Sequence, residues 1–221
     1  FIFKYHPDFK DKVDKYFNRD LPYHIEGGDI LNLNEHILAV GISQRTCADA
    51  IDELAKNLFK DKKCKIDTVL AFNIPNSRAF MHLDTVFTQI DRNKFTYHPG
   101  IMDTLQVFEI TEGNDENSDE DLNVIEINDS LENILSTYLK MPVTLIPCAG
   151  GDKVAAEREQ WNDGSNTLCI APGVVIVYDR NNITNQVLRE NGLKGLEIPG
   201  GEISRGRGGP RCMSMPLIRE D

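Results

Sequence analysis

A recurring order of short apolar segments constrains this chain more than any other feature: two strand-like runs, a helix-like run and a further strand-like run, returning along its length. Segments 30–34 and 36–43 are rich in apolar and β-branched residues, and Asn34-Glu35 between them reads as a hairpin turn. A helix is expected next. Thr46 is placed to cap it, and Ala50, Ile51, Leu54, Ala55, Leu58 and Phe59 recur at three- and four-residue spacing before the charged stretch 60–65. Strands are expected at 68–74 and 81–90. The order returns with helix 130–139, strand 143–146, short helix 154–161, and strands 168–170 and 174–178 paired around Pro172-Gly173. A last unit comprises helix 183–191 stopped by Gly192, strand 196–198, a glycine-rich loop over 200–209 and a strand over 212–217. Identity between the units is too low to define a repeat, and the order is compatible with radial repetition, as in propeller-like α/β folds.

A chain of 221 residues, 40% of them hydrophobic, can bury a sizeable core. Its net charge of -11, with no Lys/Arg-rich run, excludes a nucleic-acid partner, because phosphate binding needs a basic surface. No apolar run approaches the ~18 residues of a membrane span. No charged-then-apolar leader follows Phe1, so a cytoplasmic protein without a membrane partner is expected, and the missing methionine fits a piece of a longer protein. In the stretch 112–121, Glu112, Asp115, Glu116, Asp119, Glu120 and Asp121 alternate with Gly113, Asn114, Asn117 and Ser118, the composition of a solvated surface loop. Five cysteines at wide, irregular spacing make neither a disulfide framework nor a zinc pattern. Cys47, Cys64, Cys148 and Cys169 sit among apolar residues and read as small core residues.

Cys212 stands apart, because it ends the glycine-rich stretch, where backbone can approach a ligand closely and a thiol can be partly exposed. By itself this position suits an inert cysteine as well as a nucleophile. The segment MHLDT (81–85) places His82 and Asp84 two residues apart, so on a strand both would face one ligand. The pair also reads as a half-buried histidine beside an acid. A metal site is disfavoured, since no further ligands stand at standard spacing and HExxH is absent.

Taken together, IEGGD (25–29), GISQRT (41–46), MHLDTVF (81–87) and RGRGGPRCMSMPLIRED (205–221) resemble, in order and spacing, the signature blocks of bacterial arginine deiminases. The resemblance covers essentially the whole chain, and implies the pentein α/β-propeller, a fold of five ββαβ-type blades. It implies hydrolysis of L-arginine to L-citrulline and ammonia without a cofactor, and a complete enzyme that is a homo-oligomer. Cys212 would be the nucleophile forming a thiouronium intermediate, and His82 the general acid and base. Asp84 would hold the guanidinium, and Glu26 would orient His82 and help bind the substrate's nitrogen edge. Arg45 and Arg207 would clamp the α-carboxylate, though both also read as surface ion-pair residues. Asp29 is assigned to substrate binding, with capping of the local turn as its other reading. The resemblance also suggests that the chain is the C-terminal part of such an enzyme, a single catalytic-domain fragment with roughly three of the five blades. An upstream aspartate and arginine of the substrate site would then be missing. An agmatine deiminase-like hydrolase and a non-catalytic remnant are the alternatives.

Overall fold

Strands buried on both faces set the architecture. In a computed structural model, which describes residues 2–113, 121–206 and 208–218, the chain forms three β-sheets with helices between them. A short helix α1 (Ile2–Tyr5) precedes β1 (Ile30–Asn32), β2 (Ile37–Ile42), α2 (Ala48–Lys60) and β3 (Thr68–Asn73). Next come α3 (Leu83–Val86), β4 (Phe87–Gln89), β5 (Lys94–Tyr97), β6 (Gln106–Glu112), β7 (Leu122–Ile127), α4 (Leu131–Leu139) and β8 (Thr144–Pro147). The remainder is α5 (Lys153–Gln160), β9 (Leu168–Ala171), β10 (Val174–Tyr178), α6 (Asn182–Glu190) and β11 (Lys194–Ile198).

One construction occurs three times. An antiparallel hairpin is followed by a helix that crosses back to lay a parallel strand beside the hairpin's second strand. The instances are β1–β2–α2–β3, β4–β5–α4–β8 and β9–β10–α6–β11. A parallel pair needs such a crossover, whereas an antiparallel pair needs only a turn. In the first hairpin the Asn34 carboxamide oxygen accepts from the amides of His36 and Ile37, fixing the expected turn. The second unit has β6 and β7 inserted before its helix. Both strands join the first sheet, giving the order β1-β2-β3-β6-β7. This hairpin brackets the acidic stretch expected as a surface loop, of which 114–120 lie outside the described residues. The sheets close no ring among the described residues.

β2 and β3 are covered on both faces, which explains their nearly unbroken apolar sequences. Leu38, Val40, Val69 and Ala71 pack with Ile51, Leu54, Ala55 and Leu58 of α2. Ile37, Ala39, Leu70 and Phe72 face the opposite core with Phe87, Phe95 and the α4 residues Leu131, Ile134 and Leu135. A separate cluster of Ile90, Ile146, Val175, Val177, Leu188 and Leu193 holds the third unit against the second. Among the described residues no helix is long and apolar enough to cross a membrane.

Two strand expectations are corrected. Segment 81–90 is a short helix followed by a three-residue strand, and 212–217 carries no strand. The cap is also different: Cys47 stands at the N-terminus of α2, and the Thr46 hydroxyl is engaged elsewhere. Phe87 joins these parts. It is fully buried, with its ring centroid 5.5 Å from Phe72 and 5.1 Å from Phe95. Phe87→Ala should destabilise the fold by about 3–5 kcal/mol, read as a lower urea midpoint at unchanged slope.

Candidate functional site

The segment 24–29 reaches the site in extended backbone, with Glu26 at φ -125° and ψ 147°, and then turns through Gly27–Asp29 into β1. Glu26 Oε2 lies 2.6 Å from His82 Nε2, and Glu26 Oε1 lies 3.3 Å from Arg45 Nη1. Since an ionised carboxylate only accepts, Nε2 carries the proton in this contact. A Cβ on Gly28 would stand 2.8 Å from His82 Cγ, so the glycine lets backbone lie against the imidazole.

His82 and Asp84 do not share a strand face. His82 precedes α3 at φ -137°, and Asp84 lies in the first turn of that helix. The chain turns here because Asp29 Oδ1 accepts the Leu83 N–H at 2.7 Å, while Thr85 donates both its amide and its hydroxyl to the His82 carbonyl. Leu83 and Val86 bury their side chains in the core and so fix the turn from below. Asp84 is fully buried. Arg211 Nη1 donates to its Oδ2 at 2.5 Å, and its Oδ1 has no hydrogen-bond partner among the described residues.

The glycine-rich loop is fastened at several points. Tyr178, the last residue of β10, donates its hydroxyl to the Gly208 carbonyl at 2.9 Å. Arg211 Nη2 donates to the Ile30 carbonyl at 2.8 Å, and the Ser214 amide closes the turn on the Arg211 carbonyl at 3.0 Å. These ties explain why 212–217 makes no strand. Asn166, fully buried, joins the two sides of the site: its Nδ2 donates to the Asp84 carbonyl at 3.0 Å, and its Oδ1 accepts the Cys212 N–H at 3.3 Å. Cys212 is exposed as a residue, whereas Cys148 is buried and Cys47, Cys64 and Cys169 are half-buried. Desolvation around the Cys212 thiol, reinforced by the negative charge of Asp84, pushes its pKa up to about 11.

Glu26, Arg45, His82, Asp84 and Cys212 therefore stand in one connected region, linked through Asn166 and Arg211. Arg207 and its proposed clamp lie outside the described residues. Asp29, expected to bind substrate or to cap the local turn, is fully buried, and Ser43, Thr46 and Leu83 donate to its two oxygens. Arg211 and Asn166 were not singled out from the sequence. Arg211 stood inside the tail block, and a buried partner for Asp84 was the signal that could have found it. Among the described residues no group of three or more His, Cys, Asp or Glu side chains is arranged to hold a metal ion.

Burial raises the pKa of Asp84, opposed by the Arg211 charge and hydrogen bond, by the His82 charge and by Asn166. A carboxyl raised above its unfolded value favours the protonated form in the fold. Its contribution is complete below the unfolded value of 3.8 and is lost as pH rises through the higher folded value. Asp84→Asn lacks this loss, so its stability relative to the unsubstituted protein should rise with pH upward from 3.8, checked by urea unfolding of both across the acid range.

Comparison with known proteins identifies the family. The profile of the arginine deiminase family matches residues 1–219. Arginine deiminase of Treponema denticola is 60% identical over all of this chain, and that of Clostridium perfringens 57% identical, in both cases across 53% of the relative's length. The chain thus spans about half the length of the curated relatives it matches. Among solved structures, the N-terminal domain of ArgZ, a cyanobacterial arginine dihydrolase, superposes with a TM-score of 0.56 at 20% identity, covering 86% of this chain and 55% of that one. DDAH from Pseudomonas aeruginosa superposes with a TM-score of 0.50 at 15% identity, covering 85% and 54%. These likenesses show the pentein fold. They also overturn the expectation of a C-terminal part lacking its N-terminal segment, because the match is to an N-terminal domain. With that correction, the family profile and the close relatives together show that this chain belongs to the arginine deiminase family.

Proposed function

We propose that this chain is the catalytic-domain part of an enzyme that hydrolyses L-arginine to L-citrulline and ammonia through a covalent bond to Cys212. The observation that carries the reading is Asp84. A fully buried carboxylate with one oxygen unpartnered among the described residues, beside the Cys212 turn, suits a planar cation whose central carbon must face sulfur. Asp84 Oδ1 accepts guanidinium N–H bonds while Arg211 holds Oδ2.

The raised thiol fits this chemistry. In the free protein Cys212 is protonated at neutral pH, and a guanidinium bound between the thiol and Asp84 supplies the positive charge that favours the thiolate. The thiol proton passes to solvent, and the thiolate attacks the guanidinium carbon, forming a C–S bond as the C=N π pair moves onto nitrogen. His82, in its protonated form, gives a proton to the departing nitrogen, the C–N bond breaks, and ammonia leaves a thiouronium on sulfur. The now neutral His82 takes a proton from water as its oxygen attacks the same carbon, and the C–S bond breaks as the new hydroxyl gives its remaining proton to sulfur, releasing citrulline and the thiol. Glu26 holds the imidazole and stabilises its charged form.

Arg45, together with Arg207, clamps the substrate's α-carboxylate. Self-association belongs to the complete protein, and the setting is cytoplasmic. The three ββαβ units are read as blades of a five-bladed propeller, whose geometry brings the site residues together at one end.

Incubation of the complete natural protein with arginine should release citrulline and ammonia in equal amounts. Cys212→Ala should abolish release, while serine at Cys47, Cys64, Cys148 or Cys169 should leave it measurable; an active Cys212→Ala protein would refute the mechanism. Arginine should be preferred over agmatine by about 2–5 kcal/mol in kcat/KM, because agmatine leaves the arginine clamp without its partner. Comparable values for the two would point to an agmatine-acting enzyme.

A further inference from the structure

We propose that Asp29 is a positioning residue that sets Arg45, Glu26 and His82 against one another; this rests on the reading of the site as an arginine-hydrolysing one. Its two oxygens serve two different parts of the chain. On Oδ2 it accepts from the Ser43 hydroxyl and the Thr46 hydroxyl, each at 2.7 Å. Those hydroxyls in turn accept backbone amides of site residues: Ser43 Oγ from the Arg45 N–H at 2.9 Å, and Thr46 Oγ1 from the Glu26 N–H at 3.1 Å. On Oδ1 it accepts the Leu83 N–H at 2.7 Å, which turns the chain directly after His82.

Three donors from two segments, 14, 17 and 54 residues from Asp29 in sequence, thus converge on one fully buried carboxylate. Gly41 makes room for it, since a Cβ there would stand 2.5 Å from Asp29 Oδ1 and 2.8 Å from Leu83 Cβ. Ordinary folding does not demand this arrangement. The N-cap of α2, Cys47, makes no side-chain hydrogen bond while the neighbouring Thr46 hydroxyl serves Asp29, and a buried carboxylate is retained although its desolvation is costly. What the arrangement yields is a fixed distance between the residue assigned to the substrate carboxylate and the imidazole assigned to proton transfer. Small displacements of either are sufficient to reduce turnover about 100-fold.

The experiment compares the unsubstituted complete protein with Asp29→Asn and Ser43→Ala, by citrulline release and by alkylation of Cys212 with chloroacetamidine and with iodoacetamide. Iodoacetamide reads only the thiol. Chloroacetamidine must also enter the guanidinium position beside His82 and Glu26. Asp29→Asn is expected to slow amidine alkylation and kcat about 100-fold, with iodoacetamide alkylation within threefold of the unsubstituted rate. Equal rates for both reagents, or a parallel change in both as a loosened fold exposes the thiol, would overturn the proposal. Should Asp29→Asn fail to fold, Ser43→Ala decides: removing the Arg45 anchor alone should raise KM for arginine about tenfold, the equivalent of one hydrogen bond, with kcat within threefold. An unchanged KM overturns it. If the unsubstituted protein neither releases citrulline nor reacts with the amidine, the functional reading itself has failed.

Discussion

The buried carboxylate of Asp29 is the interaction on which the rest of the site depends. Burying a carboxylate is costly and hydrogen bonds to its oxygens offset the cost; three donors at 2.7 Å do so here. Burial still raises its pKa, and the two hydroxyl hydrogen bonds, the Leu83 amide and the His82 charge oppose the rise. Losing the Leu83 donor would leave Oδ1 unsatisfied, at a cost of about 1–3 kcal/mol, whereas Oδ2 keeps one hydroxyl donor if the other is lost. The loop after β2, the turn before β1 and the entry to α3 are consequently interdependent, although no apolar contact is needed to relate them.

Around this centre the sheets supply direction. β2 and β3 run parallel, as do β5 and β8, and β10 and β11, while β1, β4 and β9 run against them. Arg45 follows the end of β2, Tyr178 ends β10, and Glu26 and His82 precede the antiparallel strands β1 and β4. All of these lie at the end of their sheets where the parallel strands finish, the usual place for ligand sites in α/β folds. The crossover helices pack on the sheet faces, and both faces of β2 and β3 are buried, so the candidate site residues lie in the connecting loops.

What could be read from sequence follows the range of the interactions involved. β2, β3 and α2 were legible because burial on two faces gives continuous apolar strands and burial on one face gives a three-four spacing. The strand expected at 81–90 failed for a non-local reason: Leu-Asp-Thr-Val-Phe has strand-like composition, but the Leu83 amide is taken by Asp29, 54 residues away. Cys212 to Leu217 failed likewise, since Arg211 ties that turn to Asp84 and Ile30, 127 and 181 residues away. β6 and β7 were passed over because their strands are largely half-exposed and carry glutamates among the apolar residues, with Val124 and Ile125 facing solvent. In the site, the motif residues were accessible through resemblance to a family. Asn166 was not, because an asparagine in Asp-Gly-Ser-Asn-Thr resembles any turn until its two partners are seen.

The electrostatics of the unliganded site bear on the ligand it suits. Arg45 lies against Glu26 and Arg211 against Asp84, so each exposed or buried carboxylate near the thiol already has a guanidinium beside it. The two pairs differ in environment. Arg45 and Glu26 are about half exposed, where an ion pair contributes little and exchanges readily with another partner, whereas Asp84 is fully buried and Arg211 partly so, which holds their geometry. On the proposed reading, an amino acid carrying a guanidinium at one end and a carboxylate at the other meets the free oxygen of Asp84 and the exchangeable Arg45 together. A ligand with only the cation would engage the buried pair and leave Arg45 where it is. Discrimination between such ligands then resides in the exposed pair, and the alignment of the reacting carbon in the buried one, with Asp29 holding the backbone that keeps Arg45 and His82 in register.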